Sequence, residues 1–107
     1  MGLFKKKFVK NVSRDNEFMK DYAIKVNGLL IYAEENEKIT EELRKMMDDF
    51  QYTVASPHPE AKRIEKNIKT DFETLTATLQ QNEWSESDVS MLIKSIRRYI
   101  VEIGALR

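Results

Sequence analysis

The 107-residue chain has no cysteine, a single histidine, two prolines and three glycines. Without cysteine it can form no disulfide, carries no thiolate nucleophile and cannot build a Cys-ligated zinc or iron–sulfur site. One histidine, His58, rules out a multi-His metal site within one chain. So little glycine and proline disfavours an all-β sandwich or barrel, which needs many tight turns. Neither sign of charge prevails, because 18 Lys and Arg face 18 Asp and Glu. A dedicated nucleic-acid binder usually carries a basic excess, so that class is disfavoured. No apolar run approaches the ~20 residues that span a bilayer. No secretory leader pattern is visible, and the expected location is the cytoplasm.

What the chain does have is core-forming material. Hydrophobic residues make up 41% and charged residues 34%, which suits one globular domain rather than a disordered chain. The charge is balanced in total and uneven in place. Residues 1–14 hold five basic residues and no acid, whereas residues 15–57 hold five basic and ten acidic ones. The remaining half is neutral. The reading is therefore a basic arm over residues 1–14 and a domain over residues 15–107. Such asymmetry can steer partners or membrane surfaces, or pair the arm with the chain's own acidic face.

Apolar spacing is helical almost throughout. The last helix is expected near residues 86–104. Ser85 is a good N-cap, Asp88 follows at the capping-box position, and Trp84 can staple onto Val89. Val89, Leu92, Ile93, Ile96, Tyr99, Ile100 and Ile103 then recur at steps of three and four, on one face. Gly104 is placed to end the helix. The preceding helix is expected over 59–82, with Pro59 in its first turn and a stripe of Ala61, Ile64, Ile68, Phe72, Leu75 and Leu79. Its threonines lower intrinsic propensity, so it depends on packing.

The first half admits two readings. Phe18 or Met19, Tyr22, Val26, Leu29, Leu30 and Ala33 form one stripe, and Leu43, Met46, Met47, Phe50 and Val54 another. Between them runs Glu34–Lys38, polar but free of glycine and proline. In one reading a turn falls there and Thr40 caps a second helix, giving helices near 15–35 and 39–55. In the other, a single helix covers 16–55, packs with two shorter helices and requires an oligomer. It would be about 60 Å long at 1.5 Å per residue. The turn is preferred, because four helices of similar length close a bundle. The expected fold is an all-α four-helix bundle. Gly28 sits mid-helix in either case, and marks a close helix contact or is merely tolerated.

The arm carries the most pointed pattern. As a helix it would align Phe4, Phe8 and Val12, flanked by Leu3 and Val9, with Lys5, Lys6, Lys7 and Lys10 on the remaining sides. That is the pattern of a short interfacial helix on an anionic membrane. Gly2 is no convincing myristoylation signal, because position six is Lys where Ser or Thr is expected. The plainer reading is a basic terminus, free or folded over the bundle.

Other constellations are weak. Glu34/Glu35, Glu41/Glu42 and Asp48/Asp49 are neighbours that point about 100° apart on a helix, so a solvated face is favoured over a metal or acid–base site. No Glu-x-x-His di-iron signature occurs. His58, between two prolines and near Ser56, reads as a rigid turn. Lys94, Arg97 and Arg98 form a small basic cluster, more simply an exposed face than a phosphate site. Met46, Met47 and Phe50 can form an adaptable partner surface or simply core.

The expectation is a non-catalytic interaction or assembly module with a protein partner or a second copy as ligand, possessing no catalytic, cofactor or metal site. A peripheral membrane module held by residues 3–12 is the runner-up, at the inner face of the membrane. A small-molecule or enzyme site inside the bundle ranks third.

Overall fold

A computed structural model describes residues 16–106 of the chain. The membrane-contact residues Leu3, Phe4, Lys5, Lys6, Lys7, Phe8 and Lys10 lie outside the described residues. The rest is all-α. Four α-helices follow one another: α1 (Glu17–Leu29), α2 (Glu37–Tyr52), α3 (Pro59–Leu79) and α4 (Glu86–Ala105), with a 3-10 turn over Leu30–Ala33. The single-helix reading of 16–55 is overturned, because the chain breaks between Ala33 and Glu37.

The break is made by side-chain chemistry rather than by glycine. Asn36 adopts an extended backbone, and its Oδ1 accepts the Ile39 N–H at 2.9 Å, which satisfies an orphan donor of α2. The Asn36 N–H closes the preceding 3-10 turn on the Ala33 carbonyl at 2.9 Å. Thr40, expected as the cap, instead sits inside α2 and donates its hydroxyl to the Ala33 carbonyl at 2.7 Å. The reason is Ile39, which is fully buried and so must already belong to the helix.

α3 starts where Pro59 fixes φ at a helical value. His58 is its N-cap: Nδ1 accepts the Glu60 N–H at 3.1 Å. Ser56 Oγ accepts the His58 N–H at 3.1 Å, so the segment is the rigid turn expected of it. Along α3, the hydroxyls of Thr70, Thr74 and Thr78 donate to the carbonyls of Lys66, Thr70 and Thr74. The threonines thus satisfy themselves on the helix surface. α4 begins at Ser85, whose Oγ accepts the Asp88 N–H at 3.2 Å, as the sequence indicates. It runs through Gly104 to Ala105, because Gly104 has no left-handed conformation to stop it.

Directions follow from cross-contacts. α1 and α2 are antiparallel, since Asn16 Oδ1 accepts the Ala55 N–H at 3.2 Å while Ala33 meets Thr40 at the other end. α2 and α4 are parallel: Asn36 bonds Glu86, Glu42 bonds Ser90 and Asp49 pairs with Arg97. α3 returns along α4, with Ser95 Oγ donating to Asp71 at 2.8 Å. The six stripe residues of α3 are all buried, as are Val89, Ile93, Ile96, Ile100 and Ile103 of α4. Each of these side chains other than Ala61 contributes about 1.5–3 kcal/mol relative to exposure. Val54, expected at the end of the α2 stripe, is 75% exposed, because α2 stops at Tyr52.

Candidate interaction face

Three of the four sides of the bundle are closed by helix packing, α1 on α2, α2 on α4 and α3 on α4. The fourth side, between α1 and α3, is different. These two helices run parallel and meet through side chains: the Tyr22 ring stands edge-on to Phe72 with centroids 5.1 Å apart. Above that contact lies an open groove of about 540 Å³. Its floor is apolar, made by Tyr22, Leu29 and Phe72, all buried. Its walls are low at Gly28 on α1 and Ala77 on α3, which present almost no side chain, and carry Lys25, Lys69 and Glu73 elsewhere. Tyr32 and Gln80 close the far end with a long hydrogen bond of 3.5 Å.

The electrostatics of the groove centre on Tyr22. Burial pushes its phenol above the ordinary 10.0, and the carboxylates of Glu73 and Asp21 push it the same way, since both disfavour a second negative charge. Tyr22 therefore stays a neutral hydroxyl at the foot of the groove. Lys25 lies over the same ring, with Nζ 4.7 Å from the centroid, a cation–π contact.

Outside the groove, Ile24 on α1 is 71% exposed, and Ile31 in the following 3-10 turn, 66% exposed, borders Thr40 and Arg44 of α2. A Cβ on Gly28 would meet nothing within 4 Å. The close helix contact weighed for Gly28 is therefore not made within the described residues. A second group of exposed apolar side chains, Tyr52, Val54 and Val101, stands at the opposite end of α2 and α4.

The sequence-derived candidates fare unevenly. Met46 and Phe50 are fully buried, and Met47 packs half-buried against the core. They are core, not a partner surface, because α2 turns that stripe toward α1 and α4. The acidic pairs do not converge. Glu42 accepts from Ser90 Oγ at 2.8 Å, Asp49 binds Arg97, and Glu41 faces Lys45 on its own helix. Among the described residues no group of three or more His, Asp and Glu is placed to hold a metal ion. The basic cluster is divided likewise, since Arg97 turns into the α2–α4 seam while Lys94 and Arg98 stay exposed. The groove itself went unseen in the sequence. Helical spacing marks each core stripe but does not say which two helices will be left apart. Among the described residues no helix is long and apolar enough to cross a membrane. The chain matches no protein-family model, no curated protein and no solved structure.

Proposed function

We propose that this chain is a non-catalytic helical interaction module, and that its contact surface is the open α1–α3 side. The observation that carries the reading is the groove floored by Tyr22, Leu29 and Phe72 between walls as low as Gly28 and Ala77. An apolar channel between two parallel helices fits the ridge of a third helix, the helix-in-groove mode of recognition. Low walls let the partner backbone approach closely, and the exposed Ile24 of α1 adds apolar area outside the groove. Residues 15–57, which include α1 and α2, hold five basic and ten acidic residues. That excess favours a partner with a basic surface and speeds its encounter more than it tightens it.

The test is comparative. The tagged full chain, and variants Ala77→Glu and Ile24→Glu, are passed over the native extract and the retained protein is identified. Both positions are exposed, so circular dichroism of the variants should match the parent. Loss of one identified partner from both variants supports the reading. Equal retention by all three chains overturns it. Light scattering over a concentration series asks whether that partner is a second copy.

A second reading rests on the sequence of the arm, where Phe4, Phe8 and Val12 alternate with lysines at helical spacing. It makes the chain a peripheral membrane module. Flotation with vesicles of anionic or neutral lipid, with and without the change Phe4→Ser/Phe8→Ser, decides it. Binding that ignores both lipid charge and the two phenylalanines removes it.

A further inference from the structure

We propose that the cleft at the joined end of α3 and α4, lined by Trp84, receives an arginine-bearing segment of a protein partner. This surface shares no lining residue with the α1–α3 groove, and the inference does not rest on that groove.

Between Lys69 and Lys94 the chain carries no cation: residues 70–93 hold five acidic residues and no Lys, Arg or His. That stretch is the second half of α3, the connection over 80–85 and the first turns of α4, so folding gathers it at one end of the helix pair. Between the two helices it leaves an open cleft of about 650 Å³. Trp84, Leu92 and the 68%-exposed Met91 give the cleft an apolar lining. Trp84 also packs against the core, which holds its ring in place there. The hydroxyls around it are already engaged. Ser95 Oγ donates to Asp71, Ser85 Oγ accepts the Asp88 N–H, and Thr74 and Thr78 donate to carbonyls of their own helix.

Charge selects the occupant. Asp71, Glu83 and Asp88 line the cleft, and no Lys, Arg or His does. Among the described residues neither Glu83 nor Asp88 makes an ion pair. Of the basic residues of α4, Arg97 is held by Asp49, and neither Lys94 nor Arg98 lines the cleft. A cation is attracted to the face of an aromatic ring, and to tryptophan most strongly. Arginine suits the site better than lysine, because its planar guanidinium stacks on a ring and also forks onto a carboxylate. The exposed Met91 supplies an adaptable apolar contact for a neighbouring side chain. Trp84 and Glu83 line a second hollow as well, of about 610 Å³, whose other carboxylates are Glu35 and Glu86 and which has no basic lining residue. Only Lys38 reaches it, pairing with Glu86 at 3.5 Å. Two acidic hollows that share one ring suit a chain with more than one cation rather than a single small ammonium.

Trp84 is the chain's one tryptophan, so its emission reports on this end of the molecule. The probe is an acetylated, amidated hexapeptide of alternating arginine and leucine, titrated into the full chain. The expected result is a saturable change in Trp84 emission, with affinity about tenfold lower for Glu83→Gln/Asp88→Asn, the order expected of two exposed ion pairs. Met91→Lys, at an exposed position, should weaken binding likewise and leave the circular dichroism spectrum unchanged. The pair Glu41→Gln/Asp48→Asn removes the same charge from exposed positions of α2 and should bind as the parent does. Absence of a saturable change overturns the inference. So does equal binding of the peptide with citrulline in place of arginine, or an equal loss from the α2 pair and the cleft pair. Argininamide alone giving the same response, at the same concentration of guanidinium, would make the cleft a small-cation site and overturn the assignment of a partner segment.

Discussion

Arg97 of α4 sets its Nε 2.6 Å from Oδ2 of Asp49 on α2, with Nη2 3.5 Å from the other carboxylate oxygen. The pair crosses the seam between two parallel helices and is only partly exposed, with side-chain accessibilities of 37% and 27%. A two-pronged guanidinium contact is stronger than a point charge, yet the water on both partners screens it. Arg97→Ala is expected to cost about 0.5–1 kcal/mol. For a domain of this size about 1 kcal/mol lowers Tm by roughly 4–8 °C. Arg97→Lys should fall between, since it keeps the charge and loses the fork. Thermal melts of the two single variants and the double variant with Asp49→Ala isolate the coupling. A coupling of zero would show that the ion pair is incidental.

Asn36 holds two things at once. Its Oδ1 caps α2, and its Nδ2 donates to Glu86 Oε2 at 2.8 Å, reaching the first turn of α4. That bond, with help from the Lys38 charge, holds the exposed Glu86 carboxyl below its ordinary 4.5. A carboxyl with a lowered folded pKa stabilises above the unfolded value, and the contribution disappears as pH falls through the folded value. Asn36→Ala is expected to cost about 1 kcal/mol at neutral pH from the lost cap. It should also flatten the acid limb of the Tm profile below 4.5. An unchanged acid limb would separate Glu86 from Asn36.

Glu65, half-buried on α3, acts in the opposite sense. Burial raises its carboxyl above the ordinary 4.5, and Lys62 offsets that only in part. When the folded pKa of an acid is raised, the ionised form is the one that folding disfavours. Well below 4.5 both states hold the proton and the group contributes nothing. At neutral pH it lowers stability. Glu65→Gln should therefore raise Tm at neutral pH, and the gain should vanish on acidification. A loss of Tm at neutral pH would mean that the carboxylate makes a contact worth more than its burial costs.

α3 and α4 were legible because each is a single amphipathic stripe with a capping signal at its start, and every expected stripe residue of α3 is buried. The joint between α1 and α2 was legible in place but not in detail. Asn36 and Thr40 are both good capping residues, and only the burial of Ile39 shows that the helix starts at the first. The candidate face was not legible. Ile24 and Ile31 lie off the stripe, and sequence spacing treats them as scattered apolar residues. The gap between α1 and α3 exists only once the helices are assembled. Residues 3–12 lie outside the described structure, so their pattern is still known only from sequence.

Met46 and Met47 are adjacent in sequence and opposite in circumstance. Met46 is fully buried, whereas Met47 packs half-buried at the edge of the core. Met46→Ala leaves a cavity and should cost about 2–5 kcal/mol. Met47→Ala should cost clearly less, because solvent and neighbouring side chains can fill the space. Urea unfolding of both variants decides it. Equal midpoints would return the methionine pair to the surface role that its composition allows.

Gly28 is a glycine in the interior of α1 without a positive φ, and a Cβ added there would meet nothing within 4 Å. Within the described residues it has no conformational or steric reason to be glycine. Gly28→Ala should then stabilise the chain by about 0.5–1 kcal/mol, through higher helix propensity and a less free unfolded chain. The measurement is the urea midpoint at unchanged slope. A lower midpoint would mean that something presses against Gly28 that residues 16–106 do not supply. The same melt on the Phe4→Ser/Phe8→Ser background then tells whether the first residues of the chain are what presses: if they are, the substitution becomes stabilising once the two rings are gone.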